Sequence, residues 1–154
     1  MTTTGTSTRS TDTTALIDIP RSPNRAIATG LGSLFLLLGT LGFFVFPLGT
    51  FFDTTGGELF FLFGVNPAHV LLWLMAGAAL VIAGTSGTGA ARTINAFVGV
   101  PVLVLGVLGL FVRGTEVNFL AFNLASSILW IVAGALLLLT AVGAERPKGT
   151  VARR

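Results

Sequence analysis

The sequence of 154 residues contains no cysteine and no tyrosine, one histidine, His69, and one lysine, Lys148. The absence of cysteine excludes disulfides, thiolate metal sites and cysteine nucleophiles. A zinc site needs about three protein ligands even when it is catalytic, and a single histidine with scattered carboxylates does not provide them. We therefore expect no metal site and no cofactor, and His69 is only a weak candidate for a cofactor ligand.

Charged residues are also scarce. They make up 10% of the chain, against about 25% in an average soluble domain, while 53% of the residues are hydrophobic. This composition predicts an integral membrane protein. The pI near 11.2 reflects a net charge of only +3. Because the arginines do not form one basic face, we expect no nucleic-acid partner.

Four apolar runs of about 20 residues are each long enough to cross a hydrocarbon core of about 30 Å. They cover residues 26–46, 66–84, 93–112 and 123–142, and none of them contains Asp, Glu, Lys or Arg. The pattern predicts an all-α integral membrane fold with four transmembrane helices. The loop 46–65 is rich in phenylalanine and is expected to lie in the membrane interface on the outer side.

The basic residues predict how these helices are oriented. An even number of crossings places both termini on one side, together with eight of the nine basic residues, and only Arg113 lies on the other. We therefore expect both termini in the cytoplasm and the helices in a bacterial plasma membrane. The basic residues expected to face anionic lipid are Arg21, Arg25, Arg146, Lys148, Arg153 and Arg154.

Three segments follow from these boundaries. Residues 1–25 combine a threonine-rich tail with a juxtamembrane stretch. We expect residues 1–14 to be a flexible cytoplasmic tail, since so few apolar side chains do not offset the entropy of ordering. Residues 15–25 are expected to lie along the lipid headgroups. Residues 26–142 form the transmembrane domain, and residues 143–154 form a basic cytoplasmic tail.

The transmembrane domain contains an internal repeat. At an offset of 67, Gly32, Gly39, Gly42 and Phe44 recur as Gly99, Gly106, Gly109 and Phe111. At an offset of 57, Asn66, Ala68, Leu72, Trp73, Ala76, Gly77 and Ala78 recur as Asn123, Ala125, Leu129, Trp130, Ala133, Gly134 and Ala135. Because each unit crosses the membrane twice, both copies have the same orientation. We predict a tandem, parallel duplication of a two-helix hairpin over 26–84 and 93–142, unlike the inverted repeats of many transporters.

Glycines inside the apolar runs recur at helical spacing, which lets neighbouring membrane helices approach closely. The predicted packing positions are Gly32, Gly39, Gly42, Gly77, Gly84, Gly99, Gly106, Gly109 and Gly134. A compact four-helix bundle is the expected result.

Asn66, His69 and Trp73 are spaced i, i+3 and i+7 and share one face of the second helix. An ionisable group inside a membrane helix is a candidate for a proton relay or a ligand site. The alternative, which we favour, is structural: Asn66 is the N-cap and Pro67 the first helical residue. For Trp73 and its repeat equivalent Trp130 we favour packing over stacking on a cofactor.

Asp53, Glu58, Arg113 and Glu116 form the charged set on the outer side. Glu58 and Glu116 precede similar apolar segments, ELFFLFGVN and EVNFLAFN. We expect them to pair with Arg113 or to cap short interfacial helices. A cation site at these exposed positions would be weak.

The order of apolar helix, outer loop, F-G-V-N-P-x-H and apolar helix, then a weaker second copy, resembles an uncharacterised actinobacterial membrane family catalogued as a domain of unknown function. The resemblance covers residues 26–142 and is most specific over 63–77. It implies a second histidine four positions after the first and a histidine at the equivalent site of the last helix. This chain has Trp73 and Trp130 there, and Ser126 is the counterpart of His69. The resemblance implies no activity.

Three functional hypotheses follow. The first, which we favour, is a non-enzymatic membrane protein that works by helix packing, as a homo-oligomer or as a small accessory subunit of a larger membrane complex. Its partners are the lipid bilayer and other membrane subunits or a second copy. The second is a small transporter or channel formed by an oligomer. The third is a haem-binding or redox protein that uses His69.

Overall fold

The computed structural model describes residues 22–45 and 51–143. The elements in these ranges are α1 (Pro23–Val45), β1 (Gly57–Leu59), β2 (Phe63–Val65), α2 (Pro67–Ser86), α3 (Thr88–Val112) and α4 (Leu124–Gly143). All four helices are long and apolar enough to cross a membrane. The prediction of four membrane-length helices is confirmed, and it points to a multi-pass membrane protein.

The helices pack as two helical hairpins, α1 against α2 and α3 against α4, with less extensive contact between the two pairs. Glycines allow this close approach. A Cβ added to Gly32 would lie 2.8 Å from the backbone nitrogen of Val81 on α2. One added to Gly134 would lie 2.5 Å from the backbone nitrogen of Leu103 on α3. At these two positions the helix backbones are in direct contact, as expected where lipid gives helices no hydrophobic reason to associate.

Helix α1 begins three residues before the predicted span, at Pro23. Proline has a fixed φ that suits the first position of a helix. Ser22 precedes it, and its carbonyl oxygen accepts from the Ala26 N–H at 2.9 Å. The polar start of α1 is therefore helical although its side chains are not apolar.

Helix α3 also begins early, at Thr88 instead of near residue 93. The predicted spans leave residues 85–92 between the second and third helices, but Gly87 alone separates α2 from α3, with φ of 153°. Glycine adopts this conformation without steric cost, and the alanines that follow favour helix. The connection is therefore one residue long.

Because both helices extend past their predicted spans, they contain Arg25 and Arg92. The Arg25 Nε donates to the Gly84 carbonyl at 2.8 Å, and the Arg92 Nε donates to the Ala141 carbonyl at 2.7 Å. These carbonyls lie in the last turns of α2 and α4, where helices lack internal donors and favour positive charge. Arg25, predicted to face lipid headgroups, thus also satisfies the end of its neighbouring helix.

The phenylalanine-rich loop contains an antiparallel β-hairpin that the sequence did not predict. Its register pairs Gly57 with Val65 and Leu59 with Phe63. Phe60 and Phe61 form the tip, both with φ of 57°. Bulky residues rarely adopt positive φ, and the usual glycine or asparagine signal of a tight hairpin is missing. We call this end of the bundle, with the β-hairpin and residues 113–123, the β end, and the end at Gly87 the turn end.

Residues 1–21, 46–50 and 144–154 lie outside the described residues. The threonine-rich tail and the basic tail therefore stay predictions. The same applies to the headgroup-facing residues Arg21, Arg146, Lys148, Arg153 and Arg154.

Candidate functional site

Helix α2 begins at an asparagine that also positions the only histidine. Asn66 has extended backbone angles (φ −133°, ψ 176°), and its side-chain oxygen accepts from the His69 N–H at 2.9 Å. Pro67 follows in the first helical position. Asn66 is thus the N-cap of α2, as the Asn-Pro pair predicts, and it places His69 on the first turn.

The His69 side chain points into the bundle, where it is fully buried. Its Nε2 lies 2.7 Å from the Trp130 Nε1, and its Nδ1 lies 2.9 Å from the Leu120 carbonyl oxygen. An indole nitrogen only donates and a carbonyl only accepts. His69 must therefore be a neutral imidazole with its proton on Nδ1, and both ring nitrogens are occupied.

Three aromatic rings surround this imidazole. The ring centroids of Trp73, Phe122 and Trp130 lie 4.6, 4.9 and 5.1 Å from that of His69. Trp73 and His69 belong to α2, Trp130 belongs to α4, and Phe122 precedes α4. The cluster therefore joins the two helical hairpins near the β end, and both tryptophans are buried in it.

The two tryptophans are not equally satisfied. The Trp130 indole donates to His69, whereas the buried Nε1 of Trp73 has no hydrogen-bond partner in the described part of the chain. The counterpart of His69 in the second half is Ser126, which does not bond to the Trp73 indole. Its Oγ instead accepts from the Asn123 N–H at 2.9 Å and completes the cap of α4.

Two asparagines link the halves at the β end. The Asn66 Nδ2 donates to the Phe119 carbonyl at 2.8 Å. Its repeat equivalent, the Asn123 Nδ2, donates to the Leu62 carbonyl at 2.8 Å. Each asparagine thus caps its own helix and holds the outer segment of the other half.

A polar contact at the turn end was missed by the sequence analysis. The Asn95 Nδ2 of α3 donates to the Asn24 carbonyl at 3.1 Å and to its side-chain oxygen at 3.2 Å. Both side chains are fully buried. Asn95 could have indicated this contact, because an asparagine inside an apolar run needs a hydrogen-bond partner in the membrane.

The nine glycines predicted to permit close packing all lie against the other helix of their own hairpin. At each of them an added Cβ would come within 3.0 Å of an atom of that hairpin. These positions are Gly32, Gly39, Gly42, Gly77, Gly84, Gly99, Gly106, Gly109 and Gly134. The glycine stripes are therefore used inside one protomer and do not form an external contact surface.

The outer charged residues do not pair as predicted. Among residues 22–45 and 51–143, the Arg113 Nε donates to the Leu110 carbonyl at 3.2 Å, and neither Glu58 nor Glu116 forms an ion pair. The structure has no helix between residues 113 and 123 that Glu116 could cap. Asp53 accepts from the Thr55 hydroxyl at 2.7 Å and from its N–H at 3.0 Å, which lowers the pKa of its carboxyl.

The buried polar groups of the bundle are few and lie in two sets far apart. In the described ranges no group of three His, Cys, Asp or Glu side chains could hold a metal ion. Between the His69 cluster and the Asn24–Asn95 contact, the core is filled by apolar side chains such as Phe35, Leu80 and Leu137. Among the residues that the structure describes, the buried polar groups therefore lie at the two ends of the bundle, and no polar path joins them.

Four membrane-length helices around a buried histidine–tryptophan pair define the class: a multi-pass, mostly α-helical membrane protein. The chain belongs to the family described as Domain of unknown function (DUF4383), whose model matches residues 25–143. This match confirms the resemblance to a family catalogued as a domain of unknown function. Comparisons with curated proteins and with solved structures found no match.

Proposed function

We propose that this chain is a non-enzymatic protein of the bacterial plasma membrane that works by helix packing, as a homo-oligomer or as an accessory subunit of a larger membrane complex. The observation behind the proposal is the outward face of α1. Ser33 and Thr40 are exposed on it, and neither hydroxyl has a hydrogen-bond partner in the part of the chain that the structure describes. In lipid such a group favours a neighbouring helix.

Some hydroxyls of the bundle, unlike those of Ser33 and Thr40, bond within their own helix. The Thr85 and Thr140 hydroxyls each donate to a carbonyl of their own helix, at 2.8 and 3.0 Å. Next to Ser33, Gly30 faces open space, with no atom within 4 Å of an added Cβ. Gly30, Ser33 and Thr40 share this outward face, with the exposed Leu37 between the two hydroxyls. This face is the proposed contact for a second helix.

The hydrogen bonds of His69 argue against the haem hypothesis. A haem iron bound at the His69 Nε2 would need the lone pair that accepts from Trp130. It would leave a buried indole N–H without a partner, which costs about 1–3 kcal/mol. We therefore place His69 in the packing of the bundle.

We further propose that the domain arose by tandem duplication of one helical hairpin. Its contacts match at the offsets found in the sequence. Gly32 contacts Leu80 and Val81 in the first hairpin, and Gly99 contacts Leu137 and Leu138 in the second. In the same way, the contact of Gly39 with Leu74 corresponds to that of Gly106 with Ile131. The hydrogen bond from Arg25 to Gly84 corresponds to the one from Arg92 to Ala141. A pseudo-two-fold axis along the membrane normal accounts for this correspondence.

Association is tested on the full-length chain in mild detergent by size-exclusion chromatography with light scattering. We expect a protein mass that is a multiple of 15.9 kDa, or a co-purifying membrane subunit. Combining Ser33→Ala with Thr40→Val removes both outward hydroxyls, and we expect most of the assembly to be lost. The matched control is Thr85→Val, because that hydroxyl bonds within its own helix.

Two outcomes contradict this proposal. One is a wild-type particle of 15.9 kDa without a partner. The other is an assembly that the double substitution leaves intact while Thr85→Val disrupts it.

The orientation of the bundle gives a separate prediction. Both termini are expected in the cytoplasm, so the turn end faces inward and the β end outward. The chain has no cysteine, so single substitutions give an unambiguous label. In intact cells a membrane-impermeant maleimide should label Thr115→Cys, whereas Thr88→Cys should react only after lysis. The reverse pattern would invert the proposed topology.

A further inference from the structure

A cavity of about 500 Å³ lies at the β end, between the two halves of the chain. Thr55, Glu58 and Gly64 line it from the first half, and Thr115, Glu116 and Asn123 line it from the second. Small-molecule sites commonly measure about 300–1,000 Å³. The cavity therefore has the size of a ligand site, and it plays no part in the packing role proposed above.

Two carboxylates lie among the otherwise uncharged residues that line the cavity. Glu58 and Glu116 contribute one carboxylate from each half, and no basic residue lines the cavity. Neither carboxylate has a hydrogen-bond or ion-pair partner among the described residues. Arg113 is close in sequence, but its Nε donates to the Leu110 carbonyl. Both carboxylates are exposed and therefore accessible to a cation from solution.

The walls are also held in place without a ligand. The Asn123 Nδ2 joins the second half to the β-hairpin at the Leu62 carbonyl, at 2.8 Å. Asn118 bonds both backbone groups of Phe122, at 3.0 and 2.8 Å. A cavity whose walls are already fixed costs little ordering entropy when it is filled.

Size and charge together select the class of ligand. A single metal ion with its coordinating atoms occupies only a small part of this volume, and the described residues contain no group of three metal-ligating side chains. Two unpaired carboxylates disfavour anions and give neutral molecules no advantage. We propose that this cavity binds a small organic cation, with amino groups that reach Glu58 and Glu116 from the aqueous side.

The probe for this site is 1,4-diaminobutane, titrated calorimetrically into the full-length protein in an uncharged detergent. We expect saturable binding that weakens as NaCl rises from about 20 to about 200 mM, since salt screens exposed charges. Glu58→Gln and Glu116→Gln should each weaken binding about 3-fold, and both together about 10-fold, the range for exposed ion pairs.

Asp53→Asn is the matched control. It removes a carboxylate from the same end of the bundle, but Asp53 does not line the cavity, and the remaining side-chain oxygen keeps the contacts with Thr55. Its affinity for the diamine should equal that of the wild type. The proposal is overturned if the wild type does not bind the diamine, if 1,4-butanediol binds equally well, or if Asp53→Asn weakens binding as much as the glutamate variants. None of these results bears on association through α1.

Discussion

Replacing His69 with alanine is expected to lower the free energy of unfolding by about 3 kcal/mol, the combined effect of a core cavity and two unpaired polar groups. The imidazole is fully buried and lies between Trp73, Phe122 and Trp130. Its removal leaves the Trp130 N–H and the Leu120 carbonyl without partners. Equilibrium unfolding in mixed micelles, followed by helical circular dichroism, measures the change.

The two tryptophans provide the control, because they are repeat equivalents that differ in one hydrogen bond. Trp130→Phe loses the bond to His69, and an interhelical bond in a membrane protein contributes about 0.6–1.7 kcal/mol. Trp73→Phe removes an indole N–H that has no partner among the described residues, so it should cost less. Equal costs for the two variants, or a negligible cost for His69→Ala, would show that the histidine does not join the two hairpins.

The parts of the fold that could be predicted from the sequence depend on properties of single segments. Apolar length determines which segments cross a membrane, and all four predicted helices exist. The Asn66-Pro67 cap was predictable for the same reason, because it depends on residues that are close together in the chain.

The helix ends were harder to predict. A charge inside an apolar window argues against a span, yet Arg25 and Arg92 lie in helices and donate to carbonyls 59 and 49 residues away. Their long side chains reach the end of the neighbouring helix, and hydropathy does not detect such a partner. The β-hairpin was not predicted for a different reason. Its turn positions, which favour glycine or asparagine, are occupied by Phe60 and Phe61.

The candidate site was predictable in its members but not in its bonds. Asn66, His69, Trp73 and Trp130 were all identified from spacing and repetition. The bond between His69 and Trp130 joins residues that are 61 positions apart. It depends on how the two helical hairpins rotate against each other. The offsets match equivalent residues of the two copies, but they do not show which residues of one copy touch the other.

Gly134→Ala is expected to lower the free energy of unfolding by about 2–3 kcal/mol, the upper part of the range for overpacking a core. The added Cβ would lie 2.5 Å from the Leu103 nitrogen and 2.7 Å from its Cα. Both are backbone atoms of α3, so no side-chain rotation relieves the clash, and α3 must move away from α4. The repeat equivalent Gly77→Ala should behave alike, because its Cβ would lie 2.7 Å from the Leu36 nitrogen.

Gly30→Ala separates this clash from the effect of glycine on helix formation. An added Cβ there meets nothing within 4 Å, so the substitution should be neutral or stabilise the helix by up to about 1 kcal/mol. The three variants are compared by the same unfolding measurement in monomer-stabilising detergent, where contacts of α1 with another chain do not contribute. If Gly134→Ala and Gly77→Ala matched Gly30→Ala, the helical hairpins would not depend on backbone contact. The nine packing glycines all face the other helix of their own hairpin. Close helix approach would then not explain why glycine occupies these positions in both copies.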